Sequence, residues 1–588
     1  MVLTVLWMFG MAFHILSGAP LGSASMLYFF ESIGLPSMEL QEHPLSRIAA
    51  FGFVFVGALA LLYGLDASKG SEQAAALVGI ASALGIVFSA NFITLFIFWE
   101  LLTLSTSGLI FLKNTPQSII SGYKFLLFHV VGGLLMLLGI AEHYVATESF
   151  SLTVPEAGLT FFILAVGFKA AFLPFHVWVA WGYPAASFTS SVVLAGLTTK
   201  IGVYALSRLI PPSELITLIG ASMAVFGFSC ALLQKDLRRL LSYHIISQVG
   251  YMVAAVAVGT TKSVDAGLLH LVNHMLYKAL LFMSVGSLIH ATGTGNVHEL
   301  LHQEKGAPEE RQPVWRALPL ATTGAVVGAL AIAGTPMFNG YVSKYLLKYA
   351  MYGLGPAEYM LLVAGIGTSI SFCKFVYLGF IKPRVVIKRP AKKTMDLAIL
   401  LVSAVCIMFG IFPVLVEPLL PSGASISVYS FSGVAASLQI ILAGVVIFII
   451  AYRVLEAGIK IPPWVSVEFL VYLPALYASR KACELTTLFD TNINTLYENM
   501  GRTSKDACNY VGVLDSNLDY SGERPEKLRD GEEKPEEGPE KKKEFAFLGR
   551  FRWVPADFNI KNLNFDTLLL AFMLAIFLMT LVYFSAFQ

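Results

Sequence analysis

The chain has 588 residues, 56% of them hydrophobic and 13% charged, with a formal net charge of +2. Soluble domains carry about 25% charged residues, so the composition excludes an ordinary soluble protein. The near-neutral balance by itself says nothing about nucleic acid, and with no basic patch interleaved with aromatics no nucleic-acid partner is expected. The five cysteines (Cys230, Cys373, Cys406, Cys483, Cys508) form no CxxC pair, which excludes a disulfide framework, a thiolate metal site and iron–sulfur ligation.

Residues 2–17 are a short apolar stretch without a basic n-region. It ends in Ser17, Gly18 and Ala19, but a first span is expected in preference to a cleaved signal. A span takes roughly 20 apolar residues. Further spans are expected at 47–63, 73–89, 91–112, 118–141, 159–177, 186–209, 215–233, 241–258, 264–290, 317–348, 359–381, 395–416, 434–455 and 565–587. The expected fold is an all-α polytopic membrane protein of about 15 transmembrane helices, because lipid satisfies no backbone hydrogen bond. Lys235, Arg238 and Arg239 share one short loop, and Lys382, Arg384, Lys388, Arg389, Lys392 and Lys393 crowd another on the same side. The loops at 151–156 and 421–432, on the opposite side, lack Lys and Arg. Basic loops stay cytoplasmic, so the N-terminus is expected inside and the C-terminus outside a cell (inner) membrane.

After N-terminal helices in residues 1–72, two blocks of five spans follow, at 73–209 and 210–381. An odd number of spans inverts the second block. The fourth span of each carries helix breakers, Pro174 in one and Gly334, Pro336 and Gly340 in the other. Paired broken helices in inverted repeats point to a transport site; the alternative is that proline is simply common in membrane helices. Residues 382–460 hold two more spans. In 461–520, Leu485, Leu488, Phe489, Ile493, Leu496 and Met500 form a stripe at spacings of three and four. This reads as an amphipathic helix on the cytoplasmic surface of the membrane, facing either lipid or a neighbouring subunit. Residues 521–564 include a Glu/Lys/Pro-rich linker, and 565–588 return the chain to the membrane as an anchor.

Several spans carry ionisable residues that cost at least ~2.5–3.5 kcal/mol at bilayer depth. Glu100 lies near the middle of one, Lys169 and Lys200 are central in two others, and His270, His274 and Lys278 share a fourth. Groups of this kind in successive helices suggest a path for protons or ions. Low-dielectric surroundings disfavour charge on both Glu100 and Lys169, and each stabilises charge on the other. The alternative for each lysine is snorkelling to the interface. That reading is preferred for Lys124, near a helix end; Lys374 fits either. His270 and His274 share a helix face at i, i+4. With no HExxH and no third ligand visible, proton relay is expected and metal is not. Tyr243, His244, Ser247 and Gln248 could hold water or serve as packing groups.

Five stretches carry a resemblance: FWELLTLSTSGLI (98–110), GFKAAFLPFHVWV (167–179), QKDLRRLLSYHIISQVGY (234–251), HLVNHMLYKALLFMSVGSLIH (270–290) and GTPMFNGYVSKYLL (334–347). Together they resemble the antiporter-like subunits shared by respiratory complex I, membrane-bound hydrogenases and Mrp-type cation/proton antiporters, above all the Mrp D-type and hydrogenase subunits. The likeness spans roughly residues 73–416. It implies that Glu100 and Lys169 are the Glu–Lys pair of a first half-channel and that Lys200 links the halves. It further implies that His270, His274 and Lys278 serve the second half and that Lys344 marks the outlet. Against the family pattern, one N-terminal helix is expected to be missing. The implied function is proton or sodium/proton translocation within a multi-subunit membrane complex that includes further antiporter-like subunits. With no GxGxxG, GxxxxGK[ST] or CxxCH, no cofactor or catalytic site is expected. A redox partner module would supply the energy. The alternatives are an Mrp-type Na+/H+ antiporter driven by the proton gradient, or an energy-coupling or scaffold subunit of another complex, such as one for inorganic carbon uptake.

Overall fold

The structure, a computed structural model, describes residues 1–18, 23–26, 37–302 and 311–457. The expected surface helix, the charged linker and the C-terminal anchor lie outside the described residues. In chain order the helices are α1 (Val2–Leu16), α2 (Ser46–Gly64), α3 (Gly70–Phe88), α4 (Phe92–Phe111), α5 (Pro116–Thr147), α6 (Leu159–Ala170), α7 (Val177–Ala185), α8 (Phe188–Leu209) and α9 (Glu214–Leu232). They continue with α10 (Leu237–Val258), α11 (Thr261–Thr292), α12 (Val297–Leu301), α13 (Val314–Ala317), α14 (Pro319–Ala333), α15 (Asn339–Met351), α16 (Pro356–Val376), α17 (Lys393–Ile411) and α18 (Phe431–Ala457).

Among the described residues, 11 helices are long and apolar enough to cross a membrane, and α1, α6 and α14 are shorter apolar helices. The expected count of about 15 therefore needs rereading. The spans expected at 159–177 and 317–348 are helix pairs, α6–α7 and α14–α15, interrupted at 171–176 and 334–338. Two short antiparallel pairs depart from the all-helical expectation: β1 (Ser23–Met26) with β2 (Met38–Gln41), and β3 (Gln312–Pro313) with β4 (Arg384–Val385). Both sit in connections. β2 ties back to the bundle, where Leu40 bridges Ser89.

Local chemistry sets the helix ends. Asn91, Thr115, Ser187, Ser213, Asp236 and Thr260 each accept a backbone N–H at the start of a helix, which satisfies one of the donors a helix leaves open. α11 is buried from Asp265 to Leu288 at the centre of the bundle, whereas α18 is largely exposed. Burial of apolar area does not drive helix association in lipid, so close packing must. α9 and α10 meet backbone to backbone: a Cβ on Gly227 would stand 2.4 Å from the Ser247 nitrogen, and one on Gly220 2.4 Å from that of Ala254. The basic loops share one end of the bundle, where Asp236 bridges Asn296 and the Lys388 nitrogen donates to the Ala291 carbonyl at 2.7 Å.

Candidate functional site

Glu100 lies mid-way along α4, facing α5, and the contact needs Gly133. A Cβ there would stand 1.9 Å from Oε1 of Glu100. That oxygen is buried without a hydrogen-bond partner. One turn further along α4, Thr103 accepts a hydrogen bond from the Lys169 ammonium at 2.8 Å, and the ammonium also stands 4.7 Å from the centre of the Trp99 ring. Lys169 is therefore not mid-helix, as expected, but in the last turn of α6, where the broken span ends. It is 1% exposed. Glu100 and Lys169 are electrostatic neighbours without a direct ion pair. The ion pairs Arg47–Glu42 and Lys382–Glu456 both lie away from this row.

From Lys169 the row passes to α8. Gly202 lets the end of α6 press onto that helix, since its Cβ would meet the Lys169 carbonyl carbon at 2.8 Å. Two residues earlier, Lys200 is fully buried and donates to the Ala195 carbonyl at 2.5 Å and to the Thr199 hydroxyl at 3.2 Å. α8 packs on α11, where His274 lies within electrostatic reach of Lys200, Lys278, His270 and Lys344. Neither ring nitrogen of His274 has a partner, and the same is true of His244 on α10. His270 is held at both nitrogens: Nδ1 lies 2.9 Å from the Ser343 hydroxyl and Nε2 3.2 Å from Oε1 of Gln248. The Tyr277 hydroxyl lies 3.4 Å from that Nε2. Lys278 donates to the Leu241 carbonyl at 2.9 Å.

The row ends on the second broken helix. Gly334, at φ +84°, turns the chain at the end of α14, a conformation glycine adopts without the steric cost of a side chain. The chain re-enters α15, and Lys344 reaches back across the break to donate to the Ile332 carbonyl at 2.6 Å. Asn273 of α11 donates to the Asn339 carbonyl at 2.8 Å and fixes the start of α15. Pro174 and Pro336 both lie within the breaks, and the Leu173–Pro174 peptide is cis.

The structure thus strings Glu100, Lys169, Lys200, His274, His270 and Lys344 through the middle of the bundle, with Lys278, His244 and Gln248 beside it. Two lysines stand apart. Lys124, half-buried, lies over Trp181. Lys374 donates to the carbonyls of Leu232 and Gln234 at 2.6 and 2.9 Å, capping the end of α9. Sequence reasoning passed over Thr103, Ser343, Tyr277, His129 and His176. His129 is buried, bonded through Nδ1 to the Phe125 carbonyl at 2.8 Å, and leaves Nε2 without a partner near Lys169. His176, in the first break, has the Pro174 carbonyl as its polar neighbour. A lone histidine inside an apolar stretch was the available signal. No group of three or more His, Cys, Asp or Glu side chains among the described residues is arranged to hold a metal.

Every lysine of the row is held by a neutral oxygen. A carbonyl or hydroxyl accepts from either an ammonium or a neutral amine, so these contacts leave the lysine free to change its protonation state; a carboxylate partner would favour the charged form. Buried nitrogens and oxygens without protein partners are places for water.

Residues 89–371 match the family described as NADH:quinone oxidoreductase/Mrp antiporter, transmembrane. An uncharacterised protein of Methanocaldococcus jannaschii is 29% identical over 367 residues, covering 57% of this chain and 74% of its own. A Na+/H+ antiporter subunit A1 of Staphylococcus epidermidis is 27% identical over 438 residues, covering 65% of this chain and 53% of its own; the chain spans about half the length of that subunit. Among solved structures, a chain of the Mrp complex from Dietzia sp. aligns with TM-score 0.72 at 22% identity, over 90% of this chain and 61% of its own. A chain of respiratory complex I from Thermus thermophilus aligns with TM-score 0.60 at 21% identity, over 72% and 93%. Residues 89–371 thus carry the transmembrane region of the family shared by complex I and the Mrp antiporters.

Proposed function

We propose that the chain is an ion-translocating, antiporter-like subunit of a multi-subunit membrane complex, moving protons through Glu100, Lys169, Lys200, the α11 histidines and Lys344. The observation that carries this reading is the row of buried and half-buried titratable groups, three of them lysines on neutral acceptors and a fourth such lysine, Lys278, beside it, with one carboxylate at its start. A single buried carboxylate cannot offset four ammonium groups in low dielectric. Charge gained at one lysine therefore disfavours charge at the next, and protonation events along the row are linked. In this reading α3–α8 and α9–α16 are the two inverted half-channels. The basic loops face the cytoplasm, Glu100 and Lys169 load the first half, Lys200 passes the change on, and Lys344 is the outlet. His129 and His176 add to the first half as further proton acceptors.

A redox partner would drive the movement. The likeness to a chain of the membrane-bound sulfane sulfur reductase, at TM-score 0.59, and to complex I supports that version. The Na+/H+ antiporter relatives support the alternative, exchange within an Mrp-type complex. Assignment to a D-type or hydrogenase-type subunit, and bracing of neighbours by residues 464–588, belong to the same proposal.

The test is reconstitution of the complex in vesicles, with internal pH followed as either electron donor or sodium is supplied. Donor-driven acidification selects the redox version and sodium-driven pH change the antiporter. Glu100→Gln with wild-type rates under both conditions would sink both.

A further inference from the structure

A cavity of about 390 Å³ lies at the end of the bundle opposite the basic loops, between α15, α16 and the start of α18. That volume is in the range of small-ligand sites, roughly 300–1,000 Å³. Lys344 and Tyr251 line it on the inside, among the buried side chains of Leu347, Met351 and Leu361. Its rim carries the exposed Lys348 and the phenols of Tyr349 and Tyr352, which are 73% and 78% exposed. The one carboxylate in the wall, Glu358, accepts from the Gly353 nitrogen at 2.9 Å. α18 closes one side with Ala436, Ser437 and Ile440, and Leu438 and Leu442 on the same helix are exposed.

We propose that this cavity binds the head group of an anionic phospholipid. The walls are apolar, the rim is cationic and phenolic, and the bounding helix offers its leucines to the surroundings. Lysine serves phosphate as a point charge, and exposed tyrosines gather at the membrane–water boundary. Two lysines against one backbone-bonded carboxylate disfavour a metal cation, and an uncharged solute would leave the lysines unused. The phosphate sits at Lys348 and the rim tyrosines, and the acyl chains run past Ala436 and Ile440. Occupancy places a fixed negative charge near Lys344. That second consequence rests on Lys344 being a transport residue; the binding does not.

The test is native mass spectrometry of the full-length chain, in its complex, with three separate probes: short-chain phosphatidylglycerol, phosphatidylcholine with the same chains, and inorganic phosphate. Phosphatidylglycerol should bind at least about tenfold more tightly than phosphatidylcholine, and Lys348→Gln should weaken it about fivefold, as expected for one surface lysine. Ala436→Phe should abolish it. Gly365→Leu is an independent plug, because a Cβ there meets Ile440 at an ordinary 3.4 Å. Equal affinity for the two lipids, unchanged binding in the variants that stay folded, or displacement by phosphate at the lipid's own concentration would each overturn the proposal. Wild-type lipid binding by a chain that does not transport would leave it standing and remove the transport reading alone.

Discussion

The two helix breaks do opposite things with the same materials. At the first, Lys169 precedes the interruption, is 1% exposed, and shares its surroundings with Trp99, Thr103 and the carboxylate of Glu100. At the second, Lys344 follows the interruption, bonds back to Ile332, and lines a cavity of about 390 Å³ whose one carboxylate, Glu358, is bonded to the Gly353 nitrogen. A charged lysine is stabilised by a fixed anion at the first break and by whatever fills the cavity at the second. The lesson is that a broken helix need not itself be a gate. It places an amine beside unwound backbone, and the neighbouring helices decide whether that amine is enclosed or reachable.

Removing the anion should separate the two most sharply. Glu100→Gln is expected to reduce proton movement in reconstituted vesicles by at least about tenfold, with the complex still assembled. Gly133→Ala should do nearly as much, because its Cβ would stand 1.9 Å from Glu100 Oε1. Helix propensity alone favours alanine by roughly 0.5–1 kcal/mol, so a loss of transport without a loss of melting temperature identifies displacement of the carboxylate as the cause. Wild-type transport by Gly133→Ala would mean that the position of Glu100 is not critical.

Arginine then tests reversibility of charge, since it does not deprotonate in proteins. Lys200→Arg should be nearly as damaging as Lys200→Ala; full transport with arginine would show that a fixed charge suffices. The same change should expose the contrast between the breaks in thermal melting. Lys169→Arg overfills an enclosed site, at a cost of about 1–3 kcal/mol, whereas Lys344→Arg has the cavity to enter. Equal destabilisation would erase the distinction.

A smaller effect is expected from Thr103→Val, which takes the hydroxyl partner from Lys169 and nothing from Lys344. Loss of one hydrogen bond, about 1 kcal/mol, corresponds to roughly a fivefold fall in rate. Smallest of all, Lys374→Met should leave transport within about twofold and lower stability by about 0.5–1.5 kcal/mol, because Lys374 caps the end of α9. A transport defect there would return it to the relay.

Much of this was readable in the chain. Both breaks are announced by Pro174 and the Gly334–Pro336 pair, because helix breaking is local chemistry. The charged series was legible for the same reason: an ionisable residue in a hydrophobic run stands out one residue at a time. What could not be read depends on which helix lies beside which. Nothing in the sequence says that Lys169 bonds to Thr103 and forms no direct ion pair with Glu100, or that Lys374 reaches back to α9. The cavity at Lys344 exists only once α15, α16 and α18 are assembled, and His129 acquires interest only from its nearness to Lys169.

The depth at which the row runs has an electrical consequence. Glu100, Lys200 and His274 lie well inside α4, α8 and α11, and Lys169 and Lys344 flank the interruptions of two more helices. In the proposed transport reading, steps between groups at similar depth would run nearly parallel to the membrane plane and cross little of the transmembrane voltage. Moving one elementary charge across the whole field is worth about 2.3 kcal/mol per 100 mV, and that work would then fall on the approaches from either face. Sideways transfer through the protein would then proceed at similar rates in an energised and a de-energised membrane, and the membrane potential would act on loading and release alone.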